Sequence, residues 1–208
     1  MYEPVFSSVP HDWDECWARI RLMIAGWYDL PTGVVGRRTA ECAELERELG
    51  LDLSPSIHEW SSLHDELSSS AYRGAFRDNF DFGWHTELDA VTLMIQVEQD
   101  RYWGVTRETV SVPDPPVAKW QAYFDRPGWR AAEPWEPSLS GFALDKLISS
   151  LRGPAGGFLA WTSTERARSL ANDLDEAFET RLDLDGAIFF EDVDAIVRIR
   201  PNRRRQRG

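Results

Sequence analysis

The stretch VTLMIQVEQDRYWGV, at residues 91–105, decides the fold class of this chain. Residues 91–97 are mostly β-branched or apolar, a composition typical of a largely buried strand. Gln99-Asp100 can turn the chain, and Tyr102-Trp103-Gly104-Val105 then returns as the second arm of a hairpin. Residues 110–112 are predicted to add a short edge strand before Pro113. The middle of the chain is therefore predicted to form an antiparallel sheet.

Three helices are predicted before this hairpin. Asp12 caps the first helix, whose apolar residues recur at helical spacing: Trp13, Trp17, Ile20, Ile24 and Trp27. The second helix occupies about residues 39–49 and stops at Gly50. Ser54 caps the third helix, with Pro55 at its first position. Residues 68–84 show no clear period and are predicted to be a loop.

Prolines dominate the segment that follows the hairpin. Pro113, Pro115 and Pro116 are expected to prevent further strand pairing, and three later prolines are expected to keep the next segment irregular: Pro127, Pro134 and Pro137. Beyond them the patterns predict a helix at about residues 138–151, a strand at 158–161, a helix opening at Thr162, and strands at 187–190 and 194–199.

The predicted fold class is α+β, with N-terminal helices, a central antiparallel sheet and C-terminal helices packed on the sheet. No repeat or linker divides the chain. Residues 1–201 are therefore expected to form a single domain, and residues 202–208 a basic, disordered tail.

The bulk composition is that of a globular protein. The chain has 208 residues, 42% hydrophobic and 28% charged, with ten tryptophans that favour a packed core over disorder. No apolar run is long enough to span a bilayer, and the N-terminus shows no secretory signal. We therefore expect a cytoplasmic location without membrane binding, and reduced thiols at Cys16 and Cys42.

The charge is unevenly distributed. The formal net charge is −12, yet the last eleven residues contain six arginines and no acid. Without those six, 17 of the 23 basic residues remain against 35 acidic ones, so the body has a charge near −18. A body this acidic repels nucleic acid and attracts basic partners. The tail lacks the interleaved aromatic residues of a nucleic-acid binder.

Motifs for catalysis or metal binding are not visible in the sequence. It has no phosphate-binding glycine loop, no Gly-x-Ser-x-Gly elbow and no His-Glu-x-x-His or Cys-x-x-Cys spacing. His58 and His64 are six residues apart and fall on different faces of one helix. We therefore expect no catalytic residue, no metal and no cofactor. A small hydrolase with an unrecognised carboxylate pair remains the enzymatic alternative.

The order of the motifs resembles the SUKH superfamily, particularly its bacterial members, over about residues 39–201. The segments that carry this resemblance are, in chain order, Glu48-Leu49-Gly50-Leu51-Asp52-Leu53, Ile57-His58-Glu59-Trp60, Gln96-Val97-Glu98-Gln99-Asp100, Tyr102-Trp103-Gly104-Val105, Asp114-Pro115-Pro116-Val117, Trp135-Glu136-Pro137, Phe189-Phe190-Glu191-Asp192 and Ala195-Ile196-Val197-Arg198.

The resemblance implies a non-catalytic protein-binding domain. Members of the superfamily are largely immunity proteins that neutralise toxins, often nucleases, by binding them directly. It therefore implies a basic toxin domain as partner. A scaffold or regulatory module in a housekeeping process is the alternative within the same fold. Loop residues that mix acidic and aromatic side chains are the predicted partner-binding set: Trp84, Glu87, Asp89, Asp114, Glu191 and Asp192.

Overall fold

The computed structural model describes residues 12–28, 38–69, 80–96, 100–123, 127–150, 180–184, 187–192 and 195–199. Within these ranges the fold is α+β. The elements, numbered in chain order, are α1 (Trp13–Tyr28), α2 (Ala40–Leu49), α3 (Pro55–Ser69), β1 (Phe80–His85), β2 (Ala90–Ile95), β3 (Arg101–Thr106), β4 (Val117–Gln121), β5 (Glu133–Glu136), α4 (Leu139–Ser150), β6 (Thr180–Leu184), β7 (Ala187–Asp192) and β8 (Ala195–Ile199).

The strands form two antiparallel sheets. One sheet has five strands in the order β1-β2-β3-β4-β5, and the other has three in the order β6-β7-β8. The predicted central hairpin is confirmed as β2–β3, and the two strands predicted near the C-terminus are confirmed as β7 and β8. Each sheet is a meander, because every strand pairs with its neighbour in the sequence.

The residues predicted to begin or end helices do so in the structure. The Asp12 carboxylate accepts a hydrogen bond from the Glu15 amide at 2.9 Å and so caps α1. Ser54 Oγ accepts one from the Ile57 amide at 3.2 Å at the start of α3. Gly50 ends α2 in the left-handed region, with φ of 61°. These caps satisfy backbone groups that a helix cannot pair internally.

The prediction of a loop over residues 68–84 is wrong at both ends, because α3 continues to Ser69 and residues 80–85 form β1. Residues 70–79 of that span lie outside the described ranges. The strand alternates Phe80, Phe82 and Trp84 with polar or small residues. That alternation is the signature of a half-buried strand. Its Asp and Gly disfavour a strand locally, and pairing with β2 outweighs that preference.

The prediction that prolines prevent further pairing is also wrong. Residues 117–121 form β4, directly after Pro115 and Pro116, and residues 133–136 form β5. Pro134 lies within β5, which ends the five-stranded sheet, so its missing amide hydrogen removes no central hydrogen bond. The short edge predicted at residues 110–112 is a turn instead, and β6 was not predicted.

The helices cover one face of the five-stranded sheet, which we call the inner face. The main core joins all four helices to β2, β3 and β4, and its largest fully buried side chains include Trp17, Trp60 and Phe142. Burying each such side chain contributes about 1.5–3 kcal/mol of hydrophobic free energy. The opposite face, the outer face, has a smaller cluster around Leu88, Ala90 and Trp120.

A β-bulge in β2 turns two consecutive side chains into the core. Thr92 pairs with Gly104 and Met94 pairs with Trp103, so Leu93 is an extra residue opposite β3. Leu93 and Met94 both belong to the main core. At Gly104, a Cβ atom would lie 2.4 Å from the Val91 carbonyl oxygen. The close approach of the two backbones therefore requires glycine at that position.

A buried ion pair connects α1 to α3. The Arg21 guanidinium, 3% exposed, lies 3.0 Å from a carboxylate oxygen of Glu59, which is fully buried, and it also pairs with Glu66. Trp17 Nε1 donates to Ser56 Oγ at 2.8 Å between the same helices. These directional contacts fix the pairing of α1 with α3 more specifically than apolar packing does.

Two cation–π contacts flank a tryptophan pair on the inner face. The Lys119 ammonium lies 4.8 Å from the centroid of the Trp135 ring, and the Lys146 ammonium lies 4.6 Å from that of Trp103. The two indoles meet edge to face, with centroids 6.1 Å apart. Lys119 and Lys146 are the only lysines in the chain. Each ammonium is held against an aromatic surface.

Several predictions concern residues outside the described ranges: the strand at 158–161, the helix opening at Thr162 and the basic tail at 202–208. Both cysteines are described, and both are buried free thiols, as predicted. Burial raises the pKa of the Cys42 thiol, which keeps it protonated at neutral pH. Among the described helices, none combines the length and apolarity needed to cross a membrane.

Candidate functional site

The connection between β1 and β2 projects two acidic side chains into solvent. Glu87 and Asp89 are exposed, while Leu88 between them is buried. Asp89 has a φ of 49°, a left-handed conformation that Asp tolerates better than most residues. The buried side chain of Leu88 anchors this turn, and the turn thereby positions the two carboxylates.

Strand alternation places a second set of side chains on the outer face. Phe80, Phe82 and Trp84 pack against the main core, so Asp81 and His85 point to the opposite side. Tyr102 in β3 packs on the outer cluster, beside the buried Trp120 of β4. Residues from three strands therefore meet on the side of the sheet away from the helices.

Trp129 completes an aromatic cluster on this face. It lies in the connection from β4 to β5, held by a bridge to Ala122. The rings of His85, Tyr102 and Trp129 make mutual edge-to-face contacts, with centroid distances of 5.0, 5.7 and 5.1 Å. Trp129 Nε1 donates a hydrogen bond to the Glu87 carboxylate at 3.1 Å. The indole thereby connects the β4–β5 segment to the β1–β2 turn.

We call Asp81, His85, Glu87, Tyr102 and Trp129 the aromatic–acidic surface. All three rings are half-buried, so each presents part of its area to solvent. Beneath them, the buried Leu88, Ala90 and Trp120 support the cluster. A supported, partly exposed aromatic group binds with little loss of side-chain entropy, because its rotamers are already restricted.

The electrostatic character of this surface is negative. Partial burial raises the pKa of the Tyr102 hydroxyl, and the nearby Asp81 carboxylate raises it further. Burial opposes a charge of either sign on this face, whereas the Asp81 carboxylate disfavours negative charge in particular. A cationic side chain gains from the Asp81 and Glu87 carboxylates and from the faces of the tyrosine and tryptophan rings.

Three predicted site residues belong to the β1–β2 region. Glu87 is part of the aromatic–acidic surface. Trp84 lies on the inner side of β1, where the Arg107 guanidinium stands 4.5 Å from its ring centroid. Arg107 Nε also donates to the Asp89 carboxylate at 2.9 Å. The structure thus brings Trp84 and Asp89 together through Arg107, on a different face from the three-ring cluster.

Asp114 holds the start of α4. Its two carboxylate oxygens accept hydrogen bonds from the Ser140 amide at 2.9 Å and from the Ser140 hydroxyl at 2.6 Å. A carboxylate at a helix N-terminus also interacts favourably with the helix dipole. These two hydrogen bonds connect α4 to the segment before β4.

The remaining two predicted residues are at the end of β7. Glu191 pairs in register with Thr180 of β6 and Ile196 of β8, and Asp192 pairs with Ala195. They belong to the three-stranded sheet, so the predicted set is divided among that sheet, the β1–β2 region and the segment before β4.

Tyr102 and Trp129 were not predicted as partner-binding residues from the sequence, although they form the centre of the surface. Tyr102 lies in a recognisable strand, where alternation with Trp103 indicated that one of the two aromatic residues faces outward. Trp129 lies between Pro127 and Pro134, in a segment with no period to predict its direction. Its contact with Glu87 spans 42 residues, so no local signal reveals it.

Searches of protein-family models, curated proteins and solved structures returned no match to this chain. The interpretation of its function therefore depends on the geometry of the site, the charge of the chain and the resemblance noted in the sequence.

Proposed function

We propose that this chain is a non-catalytic binding domain that holds a basic partner protein against the aromatic–acidic surface. The observation that carries the proposal is the convergence of three half-buried rings and two carboxylates on one face of the sheet. Tyrosine and tryptophan are the residues most enriched among the energetic centres of protein interfaces.

The charge of the chain supports a basic partner. The net charge is −12, and it is near −18 without the six C-terminal arginines. Such a field accelerates association with a positively charged protein and penalises acidic competitors. The same field opposes direct binding of nucleic acid by the body of the protein.

The resemblance to the SUKH superfamily makes a toxin domain the proposed partner. A toxin that cleaves nucleic acid needs a basic cleft to hold phosphates. An acidic surface with aromatic anchors is complementary to such a cleft. Occupying it would exclude the substrate without any chemistry on the part of this protein, which is how we propose that a cytoplasmic immunity function operates.

Co-expression tests this function. Toxin-like reading frames beside the gene in its native genome are expressed with and without this chain, and cell survival is measured. We expect the chain to protect against one of them and to form a complex with it in vitro. Killing by every such neighbour, despite soluble co-expression of the chain, would contradict the immunity function.

Charge variants then test the surface. The double variant Asp81→Asn with Glu87→Gln removes both carboxylates while preserving side-chain size. We expect at least about a tenfold loss of affinity for the cognate toxin, measured by calorimetry. Glu44→Gln with Glu48→Gln is the matched control, because it also removes two carboxylates, both of them exposed on α2 in the layer of helices on the inner face. Equal losses in the two variants would show that binding responds to total charge and not to this surface.

A further inference from the structure

A second polar cluster lies on the helical side of the protein. The side chains of Glu41, His64 and Asp65 converge so that one ligand atom from each lies within 4.8 Å of the other two. Glu41 is in the first turn of α2, and the other two residues are in α3. Within the described ranges this is the set of three potential metal ligands that the fold brings together.

We propose that Glu41, His64 and Asp65 form a binding site for one divalent transition-metal ion, of which Zn²⁺ is the representative. One imidazole nitrogen and two carboxylate oxygens suit Zn²⁺ and its first-row neighbours better than Mg²⁺ or Ca²⁺, which prefer oxygen ligands alone. Three protein ligands leave a coordination position for water. The proposal is independent of the proposed toxin-binding function.

The two helices are fixed in place close to the cluster. The hydroxyls of Thr39 and Ser61 form a buried hydrogen bond of 2.7 Å between the start of α2 and the middle of α3. Thr39 precedes Glu41 by two residues, and Ser61 precedes His64 by three. The cluster therefore belongs to a defined contact between two helices, which restricts how far its ligand atoms can separate.

The orientation of His64 is also restricted. Its ring stacks on Phe80, with centroids 4.1 Å apart and an interplanar angle of 18°. The buried Nδ1 atom of this ring has no hydrogen-bond partner among the described residues. An imidazole that is held in place by packing, with an unsatisfied nitrogen, is a suitable first ligand for a metal ion.

The charges of the cluster favour a cation. Two carboxylates that approach each other repel, and a dication between them converts this repulsion into attraction. Metal–ligand bonds of roughly 2.0–2.2 Å in tetrahedral geometry place the ligand atoms about 3.3–3.6 Å apart. The three ligand atoms, which lie within 4.8 Å of one another, must therefore close by up to about 1.5 Å. Rotation of the Glu41 side chain, which is exposed, can supply that movement.

The test is an isothermal calorimetric titration of the metal-free protein with zinc sulfate. We expect saturable binding of one Zn²⁺ per chain with micromolar affinity, and no comparable heat with magnesium sulfate. His64→Gln and Glu41→Gln should each weaken the Zn²⁺ affinity at least about tenfold. Circular dichroism of both variants checks that they remain folded.

His58→Gln is the matched control. His58 lies on the same helix and is partly exposed, but it pairs with Glu46 at 3.2 Å instead of joining the cluster. This variant should keep the wild-type Zn²⁺ affinity. Absence of saturable Zn²⁺ binding, or an equal loss of affinity in the His58 and His64 variants, would overturn the proposal. Neither result would bear on toxin binding, which is measured separately.

Discussion

At the scale of single residues, Tyr102 reports the electrostatic environment of the proposed surface. Partial burial and the Asp81 carboxylate raise its pKa above the ordinary value of 10.0. The folded state therefore retains the phenolic proton at a pH where the unfolded chain has lost it. The stability contributed by the neutral hydroxyl is complete below the unfolded pKa and is lost as the pH rises through the folded pKa.

We predict that Asp81→Asn lowers the pKa of Tyr102 towards its ordinary value. The measurement is a spectrophotometric titration of phenolate absorbance, with Tyr102→Phe subtracted to isolate this residue among the five tyrosines. Wild-type protein should also lose stability more steeply above about pH 10 than Tyr102→Phe. Identical titration curves for wild type and Asp81→Asn would show that Asp81 does not act on Tyr102.

The residues predicted correctly are those whose role is local. Asp12, Ser54 and Gly50 act on backbone groups within four residues, so the sequence around each is enough to predict its function. Tyr102 and Trp129 are different, because their positions depend on strand register and on a contact across the sheet. Asp114 was predicted to bind a partner, and that stays a prediction; the structure shows its two hydrogen bonds to Ser140, which local sequence did not indicate.

At the scale of secondary-structure elements, the bulge in β2 controls the packing of the sheet. It turns Leu93 and Met94 into the core and brings the Val91 carbonyl close to Gly104. A methyl group at Gly104 would meet this backbone oxygen at 2.4 Å. Neither backbone can move without disturbing the β2–β3 pairing.

We predict that Gly104→Ala lowers the free energy of unfolding by about 1–3 kcal/mol, the range typical of steric overpacking of a core. Gly83→Ala is the control, because Gly83 is in the same cross-strand row and an added Cβ there meets no atom within 4 Å. It should change stability by less than about 1 kcal/mol. Chemical denaturation measures both, and equal effects would refute the role assigned to the bulge.

Elements were predictable where one periodicity dominates. The four helices predicted within the described ranges and the central hairpin have long, consistent patterns, and the structure contains each of them. β1, β4 and β5 were missed because each is short and contains Gly, Lys or Pro, which weaken the local strand signal. Their formation depends on hydrogen bonds to strands already in place, which a single segment of sequence does not contain.

At the scale of the whole molecule, the pairing of α1 with α3 depends on a buried charge. Arg21 is 3% exposed, and Glu59 is fully buried beside it. Removing the guanidinium takes away the cation that lies 3.0 Å from the buried Glu59 carboxylate. That loss is far more costly than the loss of a solvent-exposed ion pair.

We predict that Arg21→Met destabilises the protein by about 3–5 kcal/mol at neutral pH, and that adding Glu59→Met restores most of the loss. Arg19→Met is the control on the same helix, since Arg19 pairs with the more accessible Glu15; it should cost about 1 kcal/mol or less. A double-mutant cycle from thermal unfolding gives the coupling. A coupling near zero would mean that the pair does not connect the helices energetically.

The lysine positions have a practical consequence for experiments on this protein. Lys119 and Lys146 are the only lysine side chains available to amine-reactive dyes, cross-linkers or sensor surfaces, and both lie on the inner face beside Trp103 and Trp135. Coupling through them would immobilise the molecule with its outer face directed away from the support. Their modification would also alter the emission of two neighbouring indoles, so the extent of labelling can be followed by intrinsic fluorescence.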